Sequence, residues 1–148
     1  PTVWSDPDEA LALCESVAGN ATIVKLSLDD AIGLYGAGIT PEKACARVLE
    51  LGVPTVVLTD GARGCWYVNV SDDNVAFVPA YSVDAIEPTG AGDAFAAAII
   101  ARAIASGWQP LDRADVEFAA AAGALATTRR GAWDGLPTPE HLEVFLAR

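Results

Sequence analysis

Two short β-branched runs constrain this chain more than any other feature: Ala21-Thr22-Ile23-Val24-Lys25-Leu26 and Thr55-Val56-Val57-Leu58-Thr59. Each has the length of a strand and is close to continuously apolar, the pattern of a strand buried on both faces. Between them lies a helical pattern. Thr40 caps it, Pro41 suits its first position, Ala44, Cys45, Val48 and Leu49 share one face, and Gly52 stops it. Strand, helix and strand in this order require a right-handed crossover and therefore a parallel pair, so the expected class is α/β. Two further helices belong to the same half. One runs from an Asp6 cap to about Val17, with Pro7 at its first position. A shorter one follows Ser27-Leu28-Asp29-Asp30 and reaches about Tyr35.

Beyond Thr59 the pattern changes. Cys65-Trp66-Tyr67-Val68 and Val75-Ala76-Phe77-Val78 flank the turn-rich Ser71-Asp72-Asp73-Asn74, which predicts an antiparallel hairpin. Pro79 and Pro88 bracket an extended segment. Two alanine-rich helices follow, about Gly92 to Ser106 and Ala114 to Thr128, apolar on most faces and so predicted to be buried and closely packed. Thr138-Pro139-Glu140 caps a last helix to about Ala147.

The charge balance excludes some partners. Nine Lys and Arg against 20 Asp and Glu leave a net charge of −11, which argues against nucleic acid or an anionic membrane. A nucleotide is not excluded, because backbone N–H groups can hold phosphate within an acidic protein. Cys14, Cys45 and Cys65 are odd in number and widely spaced, so reduced, part-buried thiols are expected rather than disulfides or a zinc site. No apolar stretch approaches the ~20 residues of a membrane span, which reads as a soluble, cytoplasmic protein. With 148 residues, Pro1 at its start and no methionine, the chain reads as a single domain and as a fragment or processed piece. His141, the only histidine, is expected to be a solvated side chain.

The stretch Glu87-Pro88-Thr89-Gly90-Ala91-Gly92-Asp93-Ala94-Phe95 carries the chemistry. Gly90 and Gly92 relax the backbone into a tight turn that opens onto a helix. The unpaired N–H groups of that helix's first turn form a site for phosphate or a developing oxyanion. Asp93 in the same turn has a structural reading, as a favourable charge on the helix dipole, and a chemical one, as a base. Thr89 to Phe95 resembles the C-terminal signature of the ribokinase/PfkB family of carbohydrate kinases, in its fructokinase-like form. The resemblance extends in order and spacing over nearly the whole chain. The P-loop with its Lys-Ser/Thr ending is absent, so the phosphate grip belongs to a different loop.

That resemblance implies a ribokinase-like three-layer fold, with a mainly parallel sheet and helices on both faces. Residues 1–148 would form its C-terminal nucleotide-binding and catalytic portion, without the N-terminal half and the lid. It implies ATP-dependent phosphorylation of a sugar hydroxyl, on fructose or a related keto-sugar. Asp93 would be the catalytic base, and the N–H groups of Gly90, Ala91 and Gly92 the anion hole. Thr59, Gly61 and Gly64, in a Thr-x-Gly-x-x-Gly turn, would contact the nucleotide together with Thr89, Gly90 and Gly92. The adenine would lie between that turn, the second alanine-rich helix and the Thr127 to Ala132 corner. Ser27 and Asp30 stand where the family carries the Asn and Glu of its Mg²⁺ segment; read without the family, they are a capping-box pair. Glu87 stands where many members have an Asp beside a monovalent cation, which makes K⁺ a further candidate. The fragment alone is expected to be weakly active or inactive. Partners implied are a sugar, ATP and either a second copy or the missing half, through an uncovered sheet edge at Ile23 to Leu26. A noncatalytic nucleotide-binding module and a nucleoside kinase of the same family are the alternatives.

Overall fold

A computed structural model describes residues 6–147 of the chain. In order they form α1 (Pro7–Ala18), β1 (Ile23–Ser27), α2 (Leu28–Tyr35), α3 (Pro41–Leu49) and β2 (Thr55–Thr59). A single 3₁₀ turn (Gly61–Arg63) leads to β3 (Gly64–Asn69) and β4 (Ala76–Pro79), followed by α4 (Ala91–Ala105), α5 (Arg113–Ala126) and α6 (Pro139–Leu146). The strands make one sheet in the order β1-β2-β3-β4.

The sheet is mixed. β1 and β2 are parallel, from Ile23 opposite Thr55 to Ser27 opposite Thr59, as the crossover helix requires. The connection from β2 to β3 is too short for a crossover, so this pair is antiparallel. The Val70 N–H donates to the Pro54 carbonyl at 2.8 Å, and Thr55 Oγ1 donates to Asn69 Oδ1 at 2.8 Å. The expected hairpin joins β3 to β4, with the Trp66 and Phe77 rings facing each other at 4.8 Å. Gly64 is required at its base. Its φ is +127°, and a Cβ there would stand 2.2 Å from the Val78 carbonyl oxygen.

The chain forms two compact units. One comprises the described residues up to Asp60 with Trp66–Phe77; the other comprises Gly61–Cys65 with the described residues from Val78 on. In the first, Leu26, Val56 and Leu58 from the strands bury against Ala44, Cys45 and Val48 of α3. The cysteines divide more sharply than expected. Cys45 and Cys65 are fully buried, and burial pushes both thiols up to about 12, whereas Cys14 is exposed.

In the second unit α4 and α5 pack through small residues. A Cβ on Gly123 would lie 3.2 Å from the Ala91 carbonyl oxygen and 3.5 Å from Phe95 Cβ, so close spacing depends on the absence of a side chain. The expected burial on most faces holds for α5 but not for α4, whose Ile100 and Ile104 are 50% and 61% exposed. α5 also ends two residues earlier than its composition suggests. The Thr127 and Thr128 hydroxyls donate back to the Ala124 and Leu125 carbonyls at 2.7 Å, meeting acceptors that a continuing helix would have used.

Candidate active site

In the first unit, the parallel register sets Ser27 opposite Thr59 at the C-terminal ends of β1 and β2, the edge at which open α/β sheets bind ligands. Thr59 Oγ1 reaches the Leu26 carbonyl at 3.4 Å. Ser27 caps α2 in a full capping box. Its Oγ accepts from the Asp30 N–H at 3.1 Å, and Asp30 Oδ2 accepts from the Ser27 N–H at 2.9 Å and from the Ser27 hydroxyl at 2.7 Å. Burial works against the Asp30 charge, but these two hydrogen bonds and the Lys25 charge outweigh it and hold the carboxyl below its ordinary value. The structural reading of this pair is therefore realised, and Asp30 Oδ1 has no hydrogen bond to the described residues. Among the described residues no three His, Cys, Asp or Glu side chains converge as a metal cage. One exposed carboxylate oxygen suits an ion that keeps most of its waters, as Mg²⁺ does.

The second unit holds Gly61, Gly64 and the whole of Glu87–Asp93. The Ala91 N–H donates to the Pro88 carbonyl at 3.1 Å, closing a turn over Thr89 and Gly90. Gly90, at φ +85°, is the N-cap of α4, and no side chain caps the helix there. A Cβ on Gly90 would stand 2.8 Å from the Ala132 carbonyl oxygen, so glycine is needed both for the left-handed backbone and for the close approach of the Gly131–Gly135 corner. Asp93 lies exposed in the first helical turn and makes no hydrogen bond or ion pair with the described residues.

The corner after α5 clamps the turn. The Thr127 carbonyl accepts from the N–H groups of Ile86 and Glu87 at 2.7 and 3.0 Å, and the Gly131 N–H donates to Glu87 Oε2 at 3.0 Å. That N–H, together with the Thr89 hydroxyl, lowers the Glu87 carboxyl below its usual range. Asp115 went unnoticed in the sequence. It is buried at the start of α5, in a capping box with Asp112 and an ion pair with Arg102 Nε. The Asp112-x-x-Asp115 spacing was its available signal. His141 is exposed, as expected, but its Nδ1 also accepts from the Thr138 N–H at 3.3 Å.

Comparison with known proteins bears on what this arrangement belongs to. The profile of the pfkB family carbohydrate kinases matches residues 1–139, and the chain belongs to that family. It is 31% identical to fructokinase-2 of Zea mays over 99% of this chain and 44% of that protein. The structure of aminoimidazole riboside kinase from Salmonella enterica, complexed with aminoimidazole riboside and an ATP analog, superposes with a TM-score of 0.81. That match is 32% identical over 98% of this chain and 48% of the other. A double mutant of fructokinase from Vibrio cholerae O395, with fructose, ADP and potassium ion bound, superposes at 0.80, with 33% identity over 97% of this chain and 46% of the other. The fold is thus ribokinase-like, and the chain spans just under half the length of these relatives. Among the described residues no helix is long and apolar enough to cross a membrane.

Proposed function

We propose that the whole protein transfers the γ-phosphoryl group of ATP to a hydroxyl of a sugar, fructose or a related keto-sugar, and that this chain is its catalytic and nucleotide-binding portion. The observation that carries the reading is Asp93, exposed and unpaired in the first turn of α4, at a helix start that no side chain caps. Asp93 takes the proton of the attacking hydroxyl, and the N–H groups at Gly90, Ala91 and Gly92 receive charge on the moving phosphoryl group. Ala91 joins them by exchanging its Pro88 acceptor for the ligand. Thr59, Gly61, Gly64 and Thr89 would contact the nucleotide.

Asp30, through Oδ1, would hold Mg²⁺ with retained waters, while Ser27 fixes the carboxylate; bound there, the ion neutralises β- and γ-phosphate oxygens. K⁺ enters the reading through Glu87, whose carboxylate it would share with Gly131 and Thr89. A cytoplasmic enzyme and an edge of β1 that continues the sheet into the rest of the protein complete it.

The likeness to a riboside kinase favours a second reading, in which the acceptor is the ribosyl hydroxyl of a nucleoside. ADP release by the whole protein against a panel of keto-sugars, aldo-sugars and nucleosides, in KCl and in NaCl, tests both. Turnover stimulated by one keto-sugar is expected. Stimulation by nucleosides alone would replace the first reading with the second. ATP binding without turnover on any acceptor would leave a noncatalytic nucleotide-binding module.

A further inference from the structure

The turn that carries Gly90–Gly92 has little of its own to hold its shape. Gly90 has a left-handed backbone, no side chain caps the helix it opens, and Pro88 has no N–H to donate. The corner after α5 supplies what the turn lacks. That corner is closed on itself, the Gly135 N–H donating to the Gly131 carbonyl at 2.9 Å, and just before it the Thr127 carbonyl holds the N–H groups of Ile86 and Glu87. Ala132 lies so close to Gly90 that no Cβ fits between them. Among the described residues one side chain hydrogen-bonds from the turn to the corner: Glu87, whose Oε2 accepts from the Gly131 N–H at 3.0 Å. The same carboxylate accepts from the Thr89 hydroxyl, so Glu87 holds both the corner and the residue next to Gly90.

This arrangement depends on reach more than on charge. A carboxylate one methylene shorter stops short of the Gly131 N–H, and the turn cannot move in to meet it because Gly90 already touches Ala132. A neutral amide of the same length can still offer its oxygen to Gly131 and its NH₂ to the Thr89 oxygen. We infer that Glu87 is a positioning residue for phosphoryl transfer, whose side chain, by spanning from the turn to Gly131, fixes the N–H groups at Gly90–Gly92 and the Thr89 hydroxyl in the arrangement that meets the transferring group. This role rests on the kinase reading. It is separate from holding K⁺, since an ion draws on the charge of the carboxylate and the span to Gly131 on its length.

Steady-state ADP release by the whole protein, in KCl and in NaCl, separates the two through Glu87→Ala, Glu87→Asp and Glu87→Gln, with urea unfolding run on each. The Ala and Asp variants should lose at least about tenfold in kcat in both salts, within the roughly 10²-fold that misplaced groups cost, while KM for the sugar moves less than about threefold. Glu87→Gln should recover most of the kcat that Glu87→Ala loses. A merely structural role would lower the urea midpoint and leave kcat of the folded variant alone, which overturns the inference. So does recovery by Glu87→Asp where Glu87→Gln stays as damaged as Glu87→Ala, since charge would then matter and reach would not. A parent that releases no ADP with any acceptor removes the kinase reading, and hydrogen exchange of the whole protein then judges the tie between turn and corner by itself. Exchange at Gly131 and Ala91 at least about tenfold faster in the Ala and Asp variants, but not in the Gln variant, would uphold the tie; unchanged exchange in Glu87→Ala would refute it.

Discussion

α4 and α5 both begin with an aspartate at the third helical position, and the two carboxylates meet opposite fates. At α5 the cap is Asp112. Its Oδ1 accepts from the Asp115 N–H at 2.9 Å, Asp115 Oδ2 accepts from the Asp112 N–H at 3.1 Å, and Arg102 takes the remaining charge. At α4 the cap is Gly90, which has no side chain to return the bond, and Asp93 is left in solvent at a helix start that no side chain caps. The residue three positions earlier decides whether such an acid becomes part of the fold or remains available for chemistry. The α5 start contributes stability through satisfied groups, and the α4 start forgoes it.

The largest effect should come from Asp93→Ala in the whole protein. Sugar-stimulated ADP release should fall by roughly 10²–10⁴, the range for loss of a general base. Thermal stability of the chain should move by no more than about 0.5 kcal/mol, because nothing in the fold leans on that carboxylate. Equal turnover by the variant would return Asp93 to a mere dipole charge.

Asp115→Ala should behave in the opposite way. It removes a cap partner, worth about 1 kcal/mol, and a charged hydrogen bond with Arg102, worth about 1.5–3 kcal/mol, so urea unfolding should show a loss of roughly 2–4 kcal/mol. Water reaching the half-exposed Arg102 keeps the figure from rising further. A change below the detection limit would mean that the α5 start holds nothing together.

Gly90→Ala tests whether the open start at α4 depends on glycine. The methyl must enter a left-handed backbone and come within 2.8 Å of the Ala132 carbonyl, so a loss of about 1–3 kcal/mol is expected in the same unfolding measurement. Weakened ATP binding should accompany it. A variant as stable as the parent would show that the corner after α5 yields easily.

Much of this contrast can be read in the sequence, for reasons that differ by element. The β-branched runs at Ile23 and Thr55 and the Thr40-Pro41 start define their elements through local chemistry, and all fall where expected. The glycine turn before Asp93 is legible for the same reason. For Asp115 the Asp112-x-x-Asp115 spacing reports the capping box but not the ion pair, because Arg102 belongs to another helix, thirteen positions earlier, and no local pattern reports such a pairing. The clamp on Glu87 from Gly131 is equally invisible, since 44 residues separate donor and acceptor. The exposed face of α4 was misread because composition records how apolar a helix is, not which neighbours it meets. Ser27 and Asp30 show a different limit: one spacing encodes both a capping box and a metal segment, and the hydrogen bonds account for the first without consuming Asp30 Oδ1.

The smallest expected effect concerns that last pair, which lies between the two helix starts compared above. Asp30 is a third-position acid with a capping partner, as at α5, but it is exposed, as at α4. Its carboxyl is held below its ordinary value in the folded chain. A lowered folded pKa contributes stability that is fully present above the unfolded value and is lost as pH falls through the folded one. Asp30→Asn removes that contribution, so the variant should unfold at lower urea than the parent at pH 7. The gap should narrow at about pH 3, below the ordinary aspartate value of about 3.9. Ser27→Ala, which removes the hydroxyl but leaves the carboxyl, should narrow in the same direction by less, since the Ser27 N–H still donates to Oδ2. If the Asp30→Asn gap is the same at both pH values, the cap acts through its shape rather than its charge. Asp30 would then resemble the structural acid of α5 less than its capping box suggests.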